Sequence, residues 1–442
     1  MQHCDTLIVP RWCVPVEPTG TVLEGHAVAV SDGRIEAVLP LADARARFQP
    51  SVLVERPAHV LIPGLVNAHT HAAMTLFRGL ADDLPLESWL REGIWPAERR
   101  WVSAEMVRDG TQLAIAEMLR GGTTCFSDQY FFPEIVAEAA TEMAMRAVVA
   151  TPVADFPSAW ASSADEYLQK ATDLVHDPYA DHPLITTAFA PHSTFALADG
   201  SLEALRVLAD QLDVRVQIHL HESEAEVAMS IRDTGKRPFD RLVKAGLVNA
   251  SLLAVHAVYL SDEEIERFAA VGVNIAHCPK SNLKLASGIA RIAAYRAAGI
   301  NVALGTDGAA SNNTLDLFSE MRAAALLAKV SAGDAAALPA ADVLHMATLA
   351  GARALGLEER IGSIEPGKLA DLVCVDLDAL NCQPVYDVVS QLAYAASSSQ
   401  VSDVWVGGRH QLDKGSFTQI DTDNLIARSN EWRDRIGAAS AG

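Results

Sequence analysis

No two of the six cysteines, at positions 4, 13, 125, 278, 374 and 382, have C-x-x-C spacing. In a chain of 442 residues that argues against a disulfide framework or a structural zinc ribbon, and it predicts buried, reduced thiols. No segment carries 18 or more consecutive apolar residues, so no spanning helix and no membrane partner are expected. The opening residues Met-Gln-His-Cys-Asp-Thr-Leu-Ile-Val-Pro lack a basic run followed by a long apolar core. The expectation is no secretory signal and a cytoplasmic location. Basic residues are few beside acidic ones, 35 against 56, for a net charge of −21. That balance disfavours nucleic acid as a partner and leaves room for a small neutral or zwitterionic ligand. No G-x-G-x-x-G follows the first strand-like run, which weakens a dinucleotide-binding sheet.

Half of the residues are hydrophobic and 21% are charged, a globular balance. The length exceeds what one hydrophobic core usually serves, so a large and a small domain are expected. Residues 4–60 read as short β-type runs, with Ser31-Asp32-Gly33 as a hairpin turn. Residues 371–376 and 401–406 are β-branched runs of the same kind. Chain ends often lie close together, so one composite β-sandwich domain from residues 1–60 and 366–442 is predicted. The middle, residues 61–365, alternates strand-like and helix-like segments. Eight short apolar runs occur, at 60–67, 123–127, 146–153, 184–190, 215–219, 252–256, 271–276 and 301–305. Amphipathic stretches lie between them. Repeated β-then-α order implies a parallel sheet, and eight units in this length fit a (β/α)8 TIM-like barrel. An open doubly wound sheet is the competing topology.

In such barrels chemistry sits at the C-terminal ends of the strands. The runs here end in His69 and His71, His192, His219 with His221 and Glu222, His256, His277, and Asp307. Seven of the 14 histidines fall at these ends, which scattered core histidines would not do. In Asn67-Ala68-His69-Thr70-His71, alternate side chains of a strand point the same way, so two imidazoles aim at one point. Alone, that pair also fits one packed and one exposed histidine; the other strand ends favour a metal. His219 and Asp307 are the remaining candidate ligands. A carboxylate buried after Ala303-Leu304-Gly305-Thr306 is costly without a cation, although Asp307 also fits a helix N-cap. Three imidazoles and one carboxylate leave a position for water, as a catalytic metal needs. One divalent ion is expected, zinc first, with iron(II) or manganese(II) as alternatives. Lys170 is the only lysine between His71 and His219 and lies in a polar helix-like run, so no lysine stands ready to bridge a second metal. Glu222, three residues past His219, is the candidate general acid/base, or else one solvated charge in Glu222-Ser223-Glu224-Ala225-Glu226. His256 is a candidate for orienting hydroxide or stabilising charge. His221 and His277 read as support rather than as ligands.

The pattern resembles the amidohydrolase superfamily, in its branch of metal-dependent aminohydrolases. Within it the chain is most similar to the 5′-methylthioadenosine/S-adenosylhomocysteine deaminases. The pieces that carry the resemblance are Pro63-Gly64-Leu65-Val66-Asn67-Ala68-His69-Thr70-His71, Ala190-Pro191-His192-Ser193, His219-Leu220-His221-Glu222-Ser223, His277-Cys278-Pro279-Lys280-Ser281-Asn282 and Gly305-Thr306-Asp307-Gly308. Gly121-Gly122-Thr123-Thr124 and residues 362–371 complete the set. The resemblance implies zinc on His69, His71, His219 and Asp307. It implies Glu98 and His192 as nucleoside contacts, Glu98 at the ribose hydroxyls. Without it Glu98 is one charge in a surface helix. Trp89, Trp95 and Phe77 are candidates for an apolar wall against a thioether, or for core packing. The implied chemistry is attack of metal-activated water at C6 of adenine, with Glu222 as proton carrier, Asp307 assisting and His256 steadying the oxyanion. Guanine, cytosine or a chlorinated triazine are the alternative substrates of the same class. A metal-free scaffold that has lost catalysis is the alternative of another class, and a missing ligand would be its mark. Homo-oligomerisation is left open.

Overall fold

The computed structural model describes residues 1–440. Eight strands form one parallel sheet: β1 (Leu65–Thr70), β2 (Thr123–Asp128), β3 (Arg146–Val153), β4 (Ile185–Pro191), β5 (Arg215–Leu220), β6 (Leu252–His256), β7 (Asn274–His277) and β8 (Asn301–Leu304). Their order in the sheet is their order in the chain. The register is regular, for example Ala147↔Ile185 through Val153↔Pro191 between β3 and β4. The Asp307 N–H donates to the His69 carbonyl at 3.1 Å, so the residues after β8 return to β1 and nearly close the barrel. Every residue of β1, β2 and β3 is buried. Burial on both faces explains why these runs are continuously apolar rather than alternating. The intervening helices bury one stripe each. Asp199–Leu212 buries Leu202, Leu205 and Ala209. Asp262–Val271 begins in a Ser261/Glu264 capping box and ends at Gly272 with φ 74°.

The chain ends build a nine-stranded mixed sheet. Gln2–Cys13 runs parallel to Phe48–Pro63, which pairs antiparallel with Leu372–Asp376 from Pro63↔Leu372 to His59↔Asp376. Ile8, Leu61, Cys374 and Trp405 share one buried cluster, so both ends supply a single core. The His26–Ser31 and Arg34–Pro40 hairpin turns through Asp32 and Gly33, both at positive φ.

Two sequence expectations about strand limits change. The run 60–67 is not one strand. Residues 60–63 end Phe48–Pro63 in the mixed sheet, and β1 begins at Leu65. At Gly64 the hydrogen-bond partner switches, with Gly64 N donating to Asp371 O at 2.8 Å and Leu65 N to Gly122 O at 3.0 Å. A Cβ on Gly64 would stand 2.0 Å from Thr124 Oγ1, so the switch requires glycine. The run 271–276 likewise begins as the end of a helix, and β7 starts at Asn274.

The chain divides into two compact units. One comprises Met1–Asn67, Glu117–Cys125 and Asp316–Ile420, the other Ala68–Ala116, Phe126–Leu315 and the chain from Asp421. The helix Thr422–Ser440 belongs to the second, where Trp432 Nε1 donates to Asp109 Oδ2 at 2.8 Å. All six cysteines are buried free thiols. Among the described residues no helix is long and apolar enough to cross a membrane.

Candidate metal centre and active site

Four predicted ligands converge. His69 and His71 leave the end of β1 on one side, His219 points in from β5, and Asp307 follows β8. One donor atom from each lies within 4.8 Å of all the others. His69 Nε2 stands 3.4 Å and His71 Nε2 3.2 Å from Asp307 Oδ1, and His219 Nε2 stands 3.2 Å from His69 Nε2. Zinc–ligand bonds of about 2.0–2.1 Å in a tetrahedron set donor atoms roughly 3.3 Å apart, so these spacings fit a divalent ion.

The far sides of the His71 and His219 rings fit as well. His71 Nδ1 donates to the Gln129 carbonyl at 2.6 Å, and His219 Nδ1 to the His192 carbonyl at 2.8 Å. Those bonds put a ring proton on Nδ1 and turn Nε2 toward the centre. Asp307 Oδ2 accepts from Ser281 Oγ at 2.6 Å and Ser311 Oγ at 2.7 Å, which leaves Oδ1 for the ion. Burial opposes its charge, yet the imidazoles of His69 and His71 hold the carboxyl well below the usual range. His219, His192 and His69 are held neutral by burial, His192 and His69 at about 4. Asp307 has φ 60° and His256 φ 69°, conformations that non-glycine residues adopt at a cost and that the surrounding packing must hold.

Glu222 and His256 flank the centre. Glu222 Oε2 stands 3.8 Å from His256 Nε2, and burial raises the Glu222 carboxyl above its ordinary pKa. His256 Nδ1 donates to Asn282 Oδ1 at 2.9 Å, which turns Nε2 toward Glu222. Glu98, on the helix Trp95–Trp101, accepts from Tyr130 Oη at 2.9 Å and is pushed up to about 7 by burial. Glu98, His192, Glu222, His256 and Asp307 line one cavity of about 360 Å³.

The sequence pattern of the amidohydrolase family matches residues 60–410. The chain belongs to the amidohydrolase family. It is 46% identical over 434 residues to the 5-methylthioadenosine/S-adenosylhomocysteine deaminase of Teredinibacter turnerae, covering 98% of each chain. It is similar in structure to an adenosine deaminase of Xanthomonas campestris with bound zinc, at TM-score 0.98 and 55% identity over 99% of each chain. An atrazine chlorohydrolase of Arthrobacter aurescens complexed with zinc superposes at TM-score 0.90 and 26% identity, covering 97% of this chain and 99% of that one. This amidohydrolase is therefore a metal-dependent hydrolase, and the four-residue cluster at the barrel's C-terminal end is a group able to hold a divalent metal.

Other residues stand elsewhere than sequence alone suggested, or were not foreseen. His221 is outside the amidohydrolase's cavity: its Nε2 accepts from Phe239 N at 3.1 Å and its Nδ1 lies 3.2 Å from Tyr259 O. His277 is buried at the end of β7 and also lies off the lining. Trp89 and Trp95 line the cavity, but Phe77 is fully buried and does not. The acidic run divides: Glu222 and Glu226 face the cavity and Glu224 is exposed. Ser223 caps the helix Glu224–Thr234, and Glu226 Oε2 then accepts from Glu222 N at 2.7 Å. The end of β2 was missed. Asp128 there accepts from Ala72 N at 2.6 Å and is pushed up to about 7 by burial, and Gln129 and Tyr130 line the cavity. The signal was available, since Ser127-Asp128-Gln129-Tyr130 is a polar strand end like the others.

Proposed function

We propose that this amidohydrolase deaminates an adenosine-type nucleoside, 5′-methylthioadenosine and/or S-adenosylhomocysteine, giving the inosine analogue and ammonia. One zinc ion would be held by His69, His71, His219 and Asp307. The domain carrying the chemistry is the barrel of residues 61–365, with 1–60 and 366–442 as a composite β domain. The observation that carries the reading is the pairing of Glu222 with His256 at 3.8 Å, in the cavity that also contains Asp307 and Glu98. It supplies a proton carrier, a charge stabiliser and a ribose acceptor around one space. The names of the deaminase relatives support the same substrate class.

A bound divalent metal supplies water acidic enough to lose its proton near neutral pH. Asp307 would accept a hydrogen bond from the attacking water and help to remove its proton. Glu222 carries a proton to the ring nitrogen beside C6 and then to the departing amine. His256 steadies the charge that develops on the attacking oxygen. Glu98 accepts from the ribose hydroxyls, and His192 contacts the nucleoside. Oxygen adds at C6, the C6–N bond breaks and ammonia leaves. The test is a panel of 5′-methylthioadenosine, S-adenosylhomocysteine, adenosine, guanine and a chlorotriazine, followed by the adenine absorbance band and ammonia release, and by chloride release for the triazine. Conversion of an adenosine-type nucleoside is expected. Turnover of guanine or the triazine alone would overturn the reading.

A further inference from the structure

Glu222 is held by its main chain and not by its carboxyl. Among the described residues that carboxyl has no hydrogen bond, and His256 Nε2 stands beyond hydrogen-bond reach at 3.8 Å. A proton carrier exchanges partners during the reaction, so a fixed bond to its carboxyl would oppose its task. Its place must be set from the backbone.

That backbone is tied on both sides. His221 O accepts from Val258 N at 3.0 Å and from Tyr259 N at 3.1 Å. Ser223 Oγ caps the helix Glu224–Thr234 by accepting from Glu226 N at 3.1 Å. Between these two anchors the Glu222 N–H donates to Glu226 Oε2 at 2.7 Å.

Another helix of the chain shows what an ordinary cap does. In Ser261-Asp262-Glu263-Glu264 the last glutamate reaches back to the N–H of the capping serine, Ser261, at 2.7 Å. Its other oxygen accepts from Arg237 Nε at 2.7 Å, so a cation balances the carboxylate. In Ser223-Glu224-Ala225-Glu226 the short bond goes one residue further back, to Glu222. No ion pair balances Glu226 among the described residues, and its Oε1 is buried without a partner. Burial beside the Glu222 carboxyl pushes Glu226 up to about 8, against the pull of the Glu222, His221 and Ser223 N–H groups. An unbalanced buried carboxyl is a costly way to cap a helix. What it adds over an ordinary cap is its hold on Glu222.

Resting on the deamination reading above, we infer that Glu226 is a positioning residue: by accepting the Glu222 N–H it sets where the Glu222 carboxyl stands beside His256. It acts through Glu222, so its loss should slow the proton steps and leave substrate affinity in place.

The test replaces Glu226 by methionine, which keeps the bulk and removes the acceptor, and by glutamine, which keeps an acceptor oxygen. Glu226→Ala stands in should the methionine variant not fold. Metal content and unfolding temperature report folding. With 5′-methylthioadenosine, kcat of Glu226→Met should fall about tenfold to a hundredfold, the effect of a catalytic group displaced by about 1 Å, with KM near native. Glu226→Gln should return kcat close to native. The same substitutions are then made in Glu222→Gln. There Glu226→Met should lower kcat no further, because the group it positions no longer carries a proton. Native kcat in folded Glu226→Met, a glutamine variant as slow as the methionine one, or an equal fall in both backgrounds overturns this inference and leaves the deamination reading standing. A native enzyme that converts no adenosine-type nucleoside overturns the deamination reading and this one with it.

Discussion

The Nε2 atoms of His69 and His219 face each other at 3.2 Å. The His219 proton is committed on the other side of its ring, to the His192 carbonyl at 2.8 Å. His69 Nε2 also lies 3.4 Å from Asp307 Oδ1, so a single proton there cannot serve both neighbours. A divalent cation serves all of them at once. Chelation should therefore abolish activity and lower the unfolding temperature, since an ion present at 100 times its Kd stabilises by about 2.7 kcal/mol. His219→Ala should fold and lose its metal on dialysis. Metal analysis and a thermal melt check this, and full metal content with an unshifted melt in the variant would remove the centre.

Glu222 is placed to carry protons without holding the ion. Its carboxylate reaches His256 Nε2 at 3.8 Å and retains 18% side-chain exposure, so it is open to the cavity. Glu222→Gln keeps the shape and removes the titratable group. The expected outcome is a full complement of metal with kcat reduced by about 10²–10⁴-fold. Steady-state kinetics beside metal analysis separate the two effects, and native turnover in this variant would end the proton-carrier role.

The metal cluster was legible because barrel geometry gathers strand ends, and strand ends can be read from apolar runs. Runs two to six and eight begin and end within a residue or so of β2 to β6 and β8. The run at 60–67 misled because two strands in different sheets are equally apolar, and hydrophobicity carries no information about a change of partner at Gly64. Glu98 was visible only through the family resemblance. It sits on a helix, and what sets it apart from a surface charge is its place on the cavity wall and a long-range neighbour, the Tyr130 hydroxyl. The roles of Ser281, Ser311 and Asn282 were unreadable for the same reason. They are ordinary polar residues whose value lies in what they hold, Asp307 and His256.

Glu98 yields a prediction in pH. Burial pushes its carboxyl up to about 7, so in the free enzyme it protonates as pH falls through that value. A protonated carboxyl is a poorer acceptor for ribose hydroxyls, so kcat/KM should fall on the acid side of about 7. In Glu98→Gln the level should be lower throughout, chiefly through a KM raised about tenfold, and the acid limb should lose the contribution near 7. A kcat/KM profile from pH 5 to 9 on both proteins checks this. An identical acid limb in the variant would assign it to another group.

The last prediction concerns the mixed sheet, where Arg56 and Asp403 join segments from opposite ends of the chain. Asp403 is fully buried and the Arg56 side chain is 10% exposed. Arg56 Nε donates to Asp403 Oδ2 at 2.7 Å, its Nη2 donates to Oδ1 of the same carboxylate, and Asp413 Oδ1 accepts from Nη2 at 2.9 Å. His410 Nε2 adds a contact to Asp403 Oδ1 at 3.2 Å. Burial opposes the Asp403 charge, but His410 and Arg56 hold its carboxyl well below the ordinary carboxylate range. Arg56→Met strands that carboxylate in the interior and should destabilise by about 3–5 kcal/mol, read by urea unfolding. Arg56→Met with Asp403→Leu should recover much of the loss, because a buried pair replaced by apolar groups is often close to neutral. The pH dependence has a fixed sign. Since the folded pKa lies below the unfolded value of about 4, the contribution of Asp403 is fully present above that value and is lost as pH falls toward the folded pKa. The stability gap between native and Arg56→Met should therefore narrow in acid, and a gap that widens there would contradict the assignment of a charged pair.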